Sequence, residues 1–227
     1  GAKEYIKSIE NPDVRRDTMA SLTQGMAGRS LKEAEEWALN LEGADRSAAL
    51  SSVVTSAATR DPERAPELYK TFANGLDGED ANRSEYHQIA STVANQMAQT
   101  EPTRAVEWLG TLPDGKARDE AMGGLAAAWT SYDPYATSAW LQQQEPGSGR
   151  DIAAGKLIST IARDDPESAW QWATAIGEAS RRREAAATVI EAWKNNGRKE
   201  DAAAALGNSG SDLFSASELD ELAKKLD

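Results

Sequence analysis

The sequence predicts an all-α protein, an α-solenoid (superhelix) of about six to seven stacked antiparallel helical hairpins. Three observations predict it: a repeat of about 32 residues, apolar columns at helical spacings, and helix-start or turn residues at the repeat boundaries. A single hairpin cannot bury its apolar stripe alone, so neighbouring copies are expected to share one continuous core.

The repeat opens on an acidic residue followed by proline. Glu101-Pro102, Asp133-Pro134 and Asp165-Pro166 stand 32 residues apart. Asp61-Pro62 opens an earlier copy that is 8 residues longer, and Ser30 opens the copy before it. An Asp carboxylate accepts hydrogen bonds from the first free amides of a helix, and proline has no amide to leave unpaired. We therefore predict a helix start at each opening.

Four apolar columns recur at fixed offsets from the opening residues. The position four residues after each opening is occupied by Ala34, Ala65, Ala105, Thr137 and Ala169. The position seven residues after it is occupied by Trp37, Leu68, Trp108, Trp140 and Trp172. Eight and four positions before the next opening stand Val53, Val93, Leu125, Leu157, Val189 and Ala57, Met97, Trp129, Ile161, Trp193. Spacings of four belong to one face of a helix, so we expect these columns, including the tryptophans, to form the core.

The copy from 101 gives the shape of one hairpin. Its first helix ends at Pro113-Asp114-Gly115, and a second helix is predicted from about Lys116 to Thr130. The same pattern predicts hairpins at 1–28, 30–59, 61–100, 101–132, 133–164 and 165–196, then a C-terminal cap at 197–227. The cap contains a capping box, Ser215 with Glu218. No linker longer than a turn appears before about 207–211, so we predict a single domain over 1–227.

Composition excludes several classes of function. The net charge of -12 argues against a nucleic-acid partner, and no apolar run is long enough for a membrane span. Residues 61–132 are the most acidic part, with 12 acidic and 6 basic side chains. Solvation of exposed helix faces is the simple interpretation, and an electrostatic docking surface is the alternative. The absence of cysteine fits either an exported or a cytosolic protein, and of the two we expect an exported or periplasmic one.

The opening motif resembles a known class of repeat. Asp165-Pro166-Glu167-Ser168-Ala169-Trp170-Gln171-Trp172 reads Asp-Pro-x-x-Ala-x-x-Trp, and the other copies carry it imperfectly. This motif resembles the tetratricopeptide class of helical repeat and, more generally, the hairpin-repeat arrays common in bacterial proteins. The resemblance implies a superhelix with a concave, partner-binding surface, and it implies nothing about chemistry.

The copy from 61 is the best candidate for a specific site. It carries an insertion near residues 76–83, and Tyr86-His87 replaces the arginine that begins the second helix elsewhere. Insertions in repeats map to loops on one face, often the binding face. Trp170 is a second candidate, because its repeat equivalents are mixed in character. The candidate partner-binding residues are therefore Asp77, Glu79, Asp80, Arg83, Tyr86, His87 and Trp170.

Each candidate has a simpler interpretation. The inserted segment is more often a solvated loop, and its acids lack a complete calcium-loop pattern, so we predict no metal site. Trp170 has the alternative of packing on the adjacent turn. A recurring arginine, at Arg15, Arg46, Arg118, Arg150 and Arg182, could bind a carboxylate-rich strand. We favour the other interpretation, in which each guanidinium stacks on a tryptophan or binds carbonyls at a helix C-terminus.

Catalysis finds little support in the sequence. There is one histidine, no cysteine, no phosphate-binding glycine loop and no nucleophile elbow. We therefore predict a non-enzymatic protein- or peptide-binding scaffold without a cofactor, existing as a monomer or with weak self-association. The alternatives are a structural section of a larger assembly and a carboxylate-dependent hydrolase, since paired carboxylates can act as acid and base.

Overall fold

The computed structural model describes residues 5–6, 8–76, 80–209 and 213–226. In this part of the chain there are thirteen α-helices of nine or more residues, one short 3-10 helix and no strand, which confirms the all-α prediction. No helix among them is long and apolar enough to cross a membrane. The helices are α1 Pro12–Ala27, α2 Leu31–Leu39, α3 Gly43–Arg60, α4 Ala65–Asn74, α5 Ser84–Ala98, α6 Pro102–Thr111, α7 Lys116–Thr130, α8 Pro134–Gln142, α9 Ser148–Ile161, α10 Pro166–Thr174, α11 Ala179–Asn195, α12 Lys199–Asn208 and α13 Ala216–Lys224.

The helices cluster into two compact units, residues 1–124 and 125–227, and the boundary falls within α7. The prediction of a single domain stays a prediction. In the first unit, α2 pairs with α3, and α4 pairs with α5. The second helices of successive pairs also pack on one another, so that α1 contacts α3 and α3 contacts α5. Asn95 of α5 donates a hydrogen bond of 3.1 Å to the carbonyl of Gly124 in α7.

The second unit repeats this arrangement. Its pairs are α8 with α9, α10 with α11 and α12 with α13, and the second helices again pack in succession, α9 on α11 and α11 on α13. Asn196, at the C-terminal end of α11, donates a hydrogen bond of 2.7 Å to the carbonyl of Arg163, just beyond α9. Side-chain caps of this kind satisfy the carbonyls that a helix end leaves unpaired.

The apolar columns form the core, as predicted. Ala34, Ala65, Ala105, Thr137 and Ala169 are all 0% exposed, and so are Val53, Val93, Leu125, Leu157 and Val189. Trp108, Trp140, Trp172 and Trp193 are buried as well. The prediction was wrong in degree for Trp37, Trp129 and Ile161, which are only half-buried. The ring centres of Trp129 and Trp140 lie 6.1 Å apart.

Most helix starts agree with the opening residues. The side chains of Ser30, Asp133 and Asp165 each accept a hydrogen bond from an amide in the first turn. The capping box of Ser215 and Glu218 is also present, and α7 spans the predicted Lys116–Thr130. Glu101 is the exception among these openings, since α6 begins after it without a side-chain cap.

The predicted helix start at Asp61-Pro62 was wrong. Residues 62–64 form a turn, and α4 begins only at Ala65. The reason is Pro66, which the other copies lack. A helix begun at Pro62 would place Pro66 in its interior, where the missing amide and the ring would break it. Beginning at Ala65 instead puts Pro66 in the first turn, where proline is tolerated.

Two members of the arginine column, Arg150 and Arg182, behave as favoured, whereas Arg118 forms an ion pair with Asp114. The Arg150 guanidinium lies 5.4 Å from the ring centre of Trp172, and its Nε donates to the carbonyl of Leu141 at the end of α8. Arg182 donates to the carbonyls of Ile176 and Gly177 and lies over the ring of Phe214. Arg15 departs from the pattern, because it forms an ion pair with Asp45.

Candidate functional site

A cavity of about 690 Å³ lies in the first unit, beside the copy that carries the insertion. We call it the α4–α6 pocket. Its walls come from one face of α4, the first turn of α5, the C-terminal half of α6 and the loop that leads into α7. The lining residues are Pro66, Glu67, Tyr69, Lys70, Ala73, Asn74, Leu76, Ala81, Tyr86, His87, Trp108, Thr111, Leu112, Pro113, Asp114, Gly115, Lys116 and Ala117.

Aromatic side chains build the apolar wall of the pocket. The rings of Tyr69 and Trp108 meet edge to face with their centres 5.5 Å apart. Behind them Phe72 packs edge to face on Tyr86 at 5.2 Å. Each of the four side chains is at least nine-tenths buried, so the wall is held by packing on all other sides. Such a wall is preformed, and a ligand that contacts it need not order it first.

The repeat register explains why the pocket lies here. Tyr86 stands at the position that Arg150 and Arg182 occupy in later copies. In the later copies those arginines donate to carbonyls at or just beyond the end of the first helix of the hairpin. In this copy the Tyr86 ring packs on Phe72 instead. The insertion also lengthens the connection between α4 and α5, and Leu76 and Ala81 of this connection line the pocket.

Four charged side chains and one histidine line the pocket. The Asp114 carboxylate is engaged by Arg118 in an ion pair. Glu67 and Lys70, one turn apart on α4, and Lys116 are exposed and form no ion pair with a described residue. His87 Nε2 lies 3.0 Å from the carbonyl of Ala81, and because a carbonyl only accepts, this nitrogen carries the proton.

Burial raises the pKa of the Tyr69 phenol to about 12. The phenol is therefore neutral near pH 7. A raised pKa means that the folded state holds the proton more tightly than the unfolded chain does. The stabilisation from the neutral phenol is thus complete below pH 10 and is lost as the pH rises through 12.

We expect the Tyr69→Phe variant to lose less stability than the parent chain between pH 10 and 12. The parent should lose about 2 kcal/mol more than the variant over this interval, since two pKa units correspond to that order of free energy. Urea unfolding at pH 8, 10, 11 and 12 measures the difference. Parallel loss in both chains would contradict the buried position of this phenol.

The structure brings two of the predicted partner-binding residues to the pocket. Tyr86 and His87 line it. Arg83 precedes α5 and pairs with Glu85 at 3.0 Å, outside the lining. Asp77 and Glu79 lie outside the described residues. Asp80 belongs to the short 3-10 helix Asp80–Asn82, but its side chain lies outside the description. A binding role for these residues stays a prediction.

Trp170 lies in the second unit, in an apolar cluster that includes Ile190, Leu206 and Phe214. Its ring stacks on Phe214 at 6.2 Å and lies 5.6 Å from Trp193. The side chain is half-buried. This is the packing alternative stated above, and it accounts for the residue without a partner, although a partner-binding role stays a prediction.

Sequence reasoning missed the residues that α4 and α6 contribute. Trp108 was assigned to the core alone, yet it also forms part of the pocket wall. A usable signal was present on α4: Pro66, Lys70 and Ala73 share a stripe beside the buried Leu68 and Phe72. A second stripe on a first helix, next to an insertion, indicates a face that the neighbouring hairpin does not cover.

Among the described residues, no three His, Asp or Glu side chains lie close enough to hold a metal ion. Comparisons with protein-family models, with curated proteins and with solved structures found no match for this chain. The chemistry of the site therefore rests on its own geometry.

Proposed function

We propose that the chain is a non-catalytic scaffold that binds a protein or peptide segment in the α4–α6 pocket. The observation that carries the proposal is the coincidence of two features. The pocket has a preformed aromatic wall, and it lies at the copy where the repeat is interrupted. Insertions in repeat proteins map to loops on one face, which is often the binding face.

The scaffold we propose is an α-solenoid of the tetratricopeptide-like kind. The successive packing of second helices within each unit supports this arrangement, because each hairpin shares its apolar columns with the next. Solenoids of this kind are rigid and extended, and they use an exposed face to hold linear segments. The functional assignment depends on the pocket and would stand without the family-level likeness.

The size and lining of the pocket support a short segment as its occupant. Ligand pockets commonly measure about 300 to 1,000 Å³, with mostly apolar walls and a few polar groups that fix orientation. The α4–α6 pocket has this composition, with Tyr69, Tyr86 and Trp108 as the wall and Glu67, Lys70 and Lys116 as polar groups. One or two side chains of a linear segment could enter it.

The test fills the pocket without removing its wall. We expect Ala73→Trp to abolish the recovery of peptides selected on the parent chain from a library of displayed random 12-residue peptides. Ala73 lines the pocket and is half-buried, so a larger side chain there occupies the cavity. The binding of each enriched peptide should weaken at least tenfold.

The matched control is Ala204→Trp, which adds the same ring on an exposed position of α12. This variant should bind the enriched peptides as the parent does, and both variants should keep the helicity and melting temperature of the parent. Equal binding by all three chains would remove the pocket from the proposal. A library from which the parent enriches no peptide would overturn the proposed function itself.

A further inference from the structure

The α4–α6 pocket combines an apolar wall with an exposed carboxylate, that of Glu67. Glu67 is exposed at the pocket on α4 and forms no ion pair with a described residue. The other lining carboxylate, Asp114, is already bound by Arg118. An exposed carboxylate beside an aromatic wall suits a side chain that has an apolar stem and a cationic end.

Lys70 and Lys116 also line the pocket, so the described lining residues, with Glu67 and Asp114, carry no net charge. The surroundings decide the sign. Residues 61–124 carry 12 acidic and 6 basic side chains, and the whole chain carries a net charge of -12. Charges within about 8 to 10 Å act on one another at physiological ionic strength, and more distant ones still raise the local concentration of oppositely charged ligands. An acidic segment would approach against this charge.

We infer that the pocket takes a basic peptide segment, one of whose arginine or lysine side chains lies along Tyr69 and Trp108 and reaches the Glu67 carboxylate. The inference rests on the proposed function and names its partner by chemistry. Arginine and lysine bury their methylene stems on apolar surfaces while the charged end stays at the polar rim. An arginine also forms a charge-assisted, two-bond contact with a carboxylate.

Three mixtures of blocked tetrapeptides provide the probe, in which the second residue is fixed as Arg, Glu or Leu and the other three are randomised. Each mixture is titrated into the ¹⁵N-labelled whole chain while the amide signals of His87 and Lys116 are followed. We expect the Arg mixture to shift these signals at a concentration at least tenfold lower than the Glu mixture. Added NaCl should weaken the effect of the Arg mixture, because the attraction is screened.

A substitution tests the role of Glu67. We expect Glu67→Gln to raise the concentration of the Arg mixture needed for half of the shift about tenfold. Glu107→Gln changes an exposed carboxylate on the neighbouring α6, outside the pocket lining, and should leave the titration unchanged.

Two results would overturn the inference. One is a Glu or Leu mixture that acts at the same or a lower concentration than the Arg mixture, and the other is the absence of a shift with all three. The proposed function would survive either result if the enriched displayed peptides bind the parent chain and fail to bind the Ala73→Trp variant. Those peptides would then occupy the pocket through a different chemistry. Loss of the inference and loss of the proposed function are therefore separate outcomes.

Discussion

Replacing Gly124 by alanine is expected to cost about 3 kcal/mol or more of unfolding free energy, because α5 and α7 approach at this residue without room for a side chain. A Cβ on Gly124 would overlap the carbonyl oxygen of Ser91 and lie 2.8 Å from its carbonyl carbon. Both are backbone atoms, so relief requires a whole helix to move. That movement would also stretch the bond from Asn95 to the Gly124 carbonyl.

Gly155→Ala is the matched control. Gly155 also lies inside a helix, α9, but a Cβ there would meet nothing within 4 Å. Alanine should stabilise this position by about 0.5 to 1 kcal/mol, since glycine costs that much inside a helix. Urea unfolding of the three chains gives the comparison. Equal stabilities for Gly124→Ala and the parent would contradict the close approach of α5 and α7.

Asp151→Ala is expected to cost about 2 to 4 kcal/mol, because two amides would lose their acceptor. Asp151 is 5% exposed, and its carboxylate accepts hydrogen bonds from the amides of Gly177 and Glu178 at 2.9 to 3.1 Å. These amides lie in the turn between α10 and α11. Asp151, on α9, thus holds the turn of the next hairpin. Alanine at this position would leave both amides without an acceptor and would create a small void.

The exposed Asp164 supplies the control for this change. Asp164→Ala should alter the unfolding free energy by less than about 0.5 kcal/mol, as is usual for surface sites. Asp151→Asn keeps one carbonyl oxygen in place and should recover part of the loss. A loss of unfolding free energy under about 1 kcal/mol for Asp151→Ala would show that water replaces the carboxylate at little cost. The carboxylate would then not be what stabilises the turn between α10 and α11.

Most core residues could be predicted from the sequence, because every copy of a helical repeat needs apolar side chains at the same positions. Two columns of five positions each, one from each helix of the hairpin, are all fully buried. Every copy adds an independent sample of the same environment, so the apolar columns stand out from chance. The half-buried Trp37 and Trp129 show the limit: an apolar residue in the column need not be enclosed on every side.

The failed helix start at Asp61-Pro62 has a local cause that could have been found in the sequence. Pro66 stands four residues after Pro62, and a helix cannot contain an interior proline without breaking its hydrogen-bond ladder. The repeat register outweighed this signal in the prediction. In the structure the local constraint wins, because shifting the start to Ala65 sacrifices only a single turn.

The site was predicted less completely than the core. The insertion and the replacement of arginine by Tyr86 and His87 pointed to the copy that borders the α4–α6 pocket, since both interrupt the repeat. The pocket also includes Tyr69 and Lys70 of α4 and Lys116 of α7. Whether these side chains meet depends on how α4 and α6 lie beside each other. That geometry is set by small rotations between hairpins, which residue spacing does not encode.

The measurement that tests the account most directly is a map of amide signals on the ¹⁵N-labelled whole chain, titrated with the displayed peptide that the parent enriches most. We expect the largest shifts in residues 66–76, 81–87 and 108–117, the segments that contain the lining residues of the pocket. Shifts concentrated elsewhere, such as on α12 and α13, would contradict the α4–α6 pocket as the binding site of this scaffold.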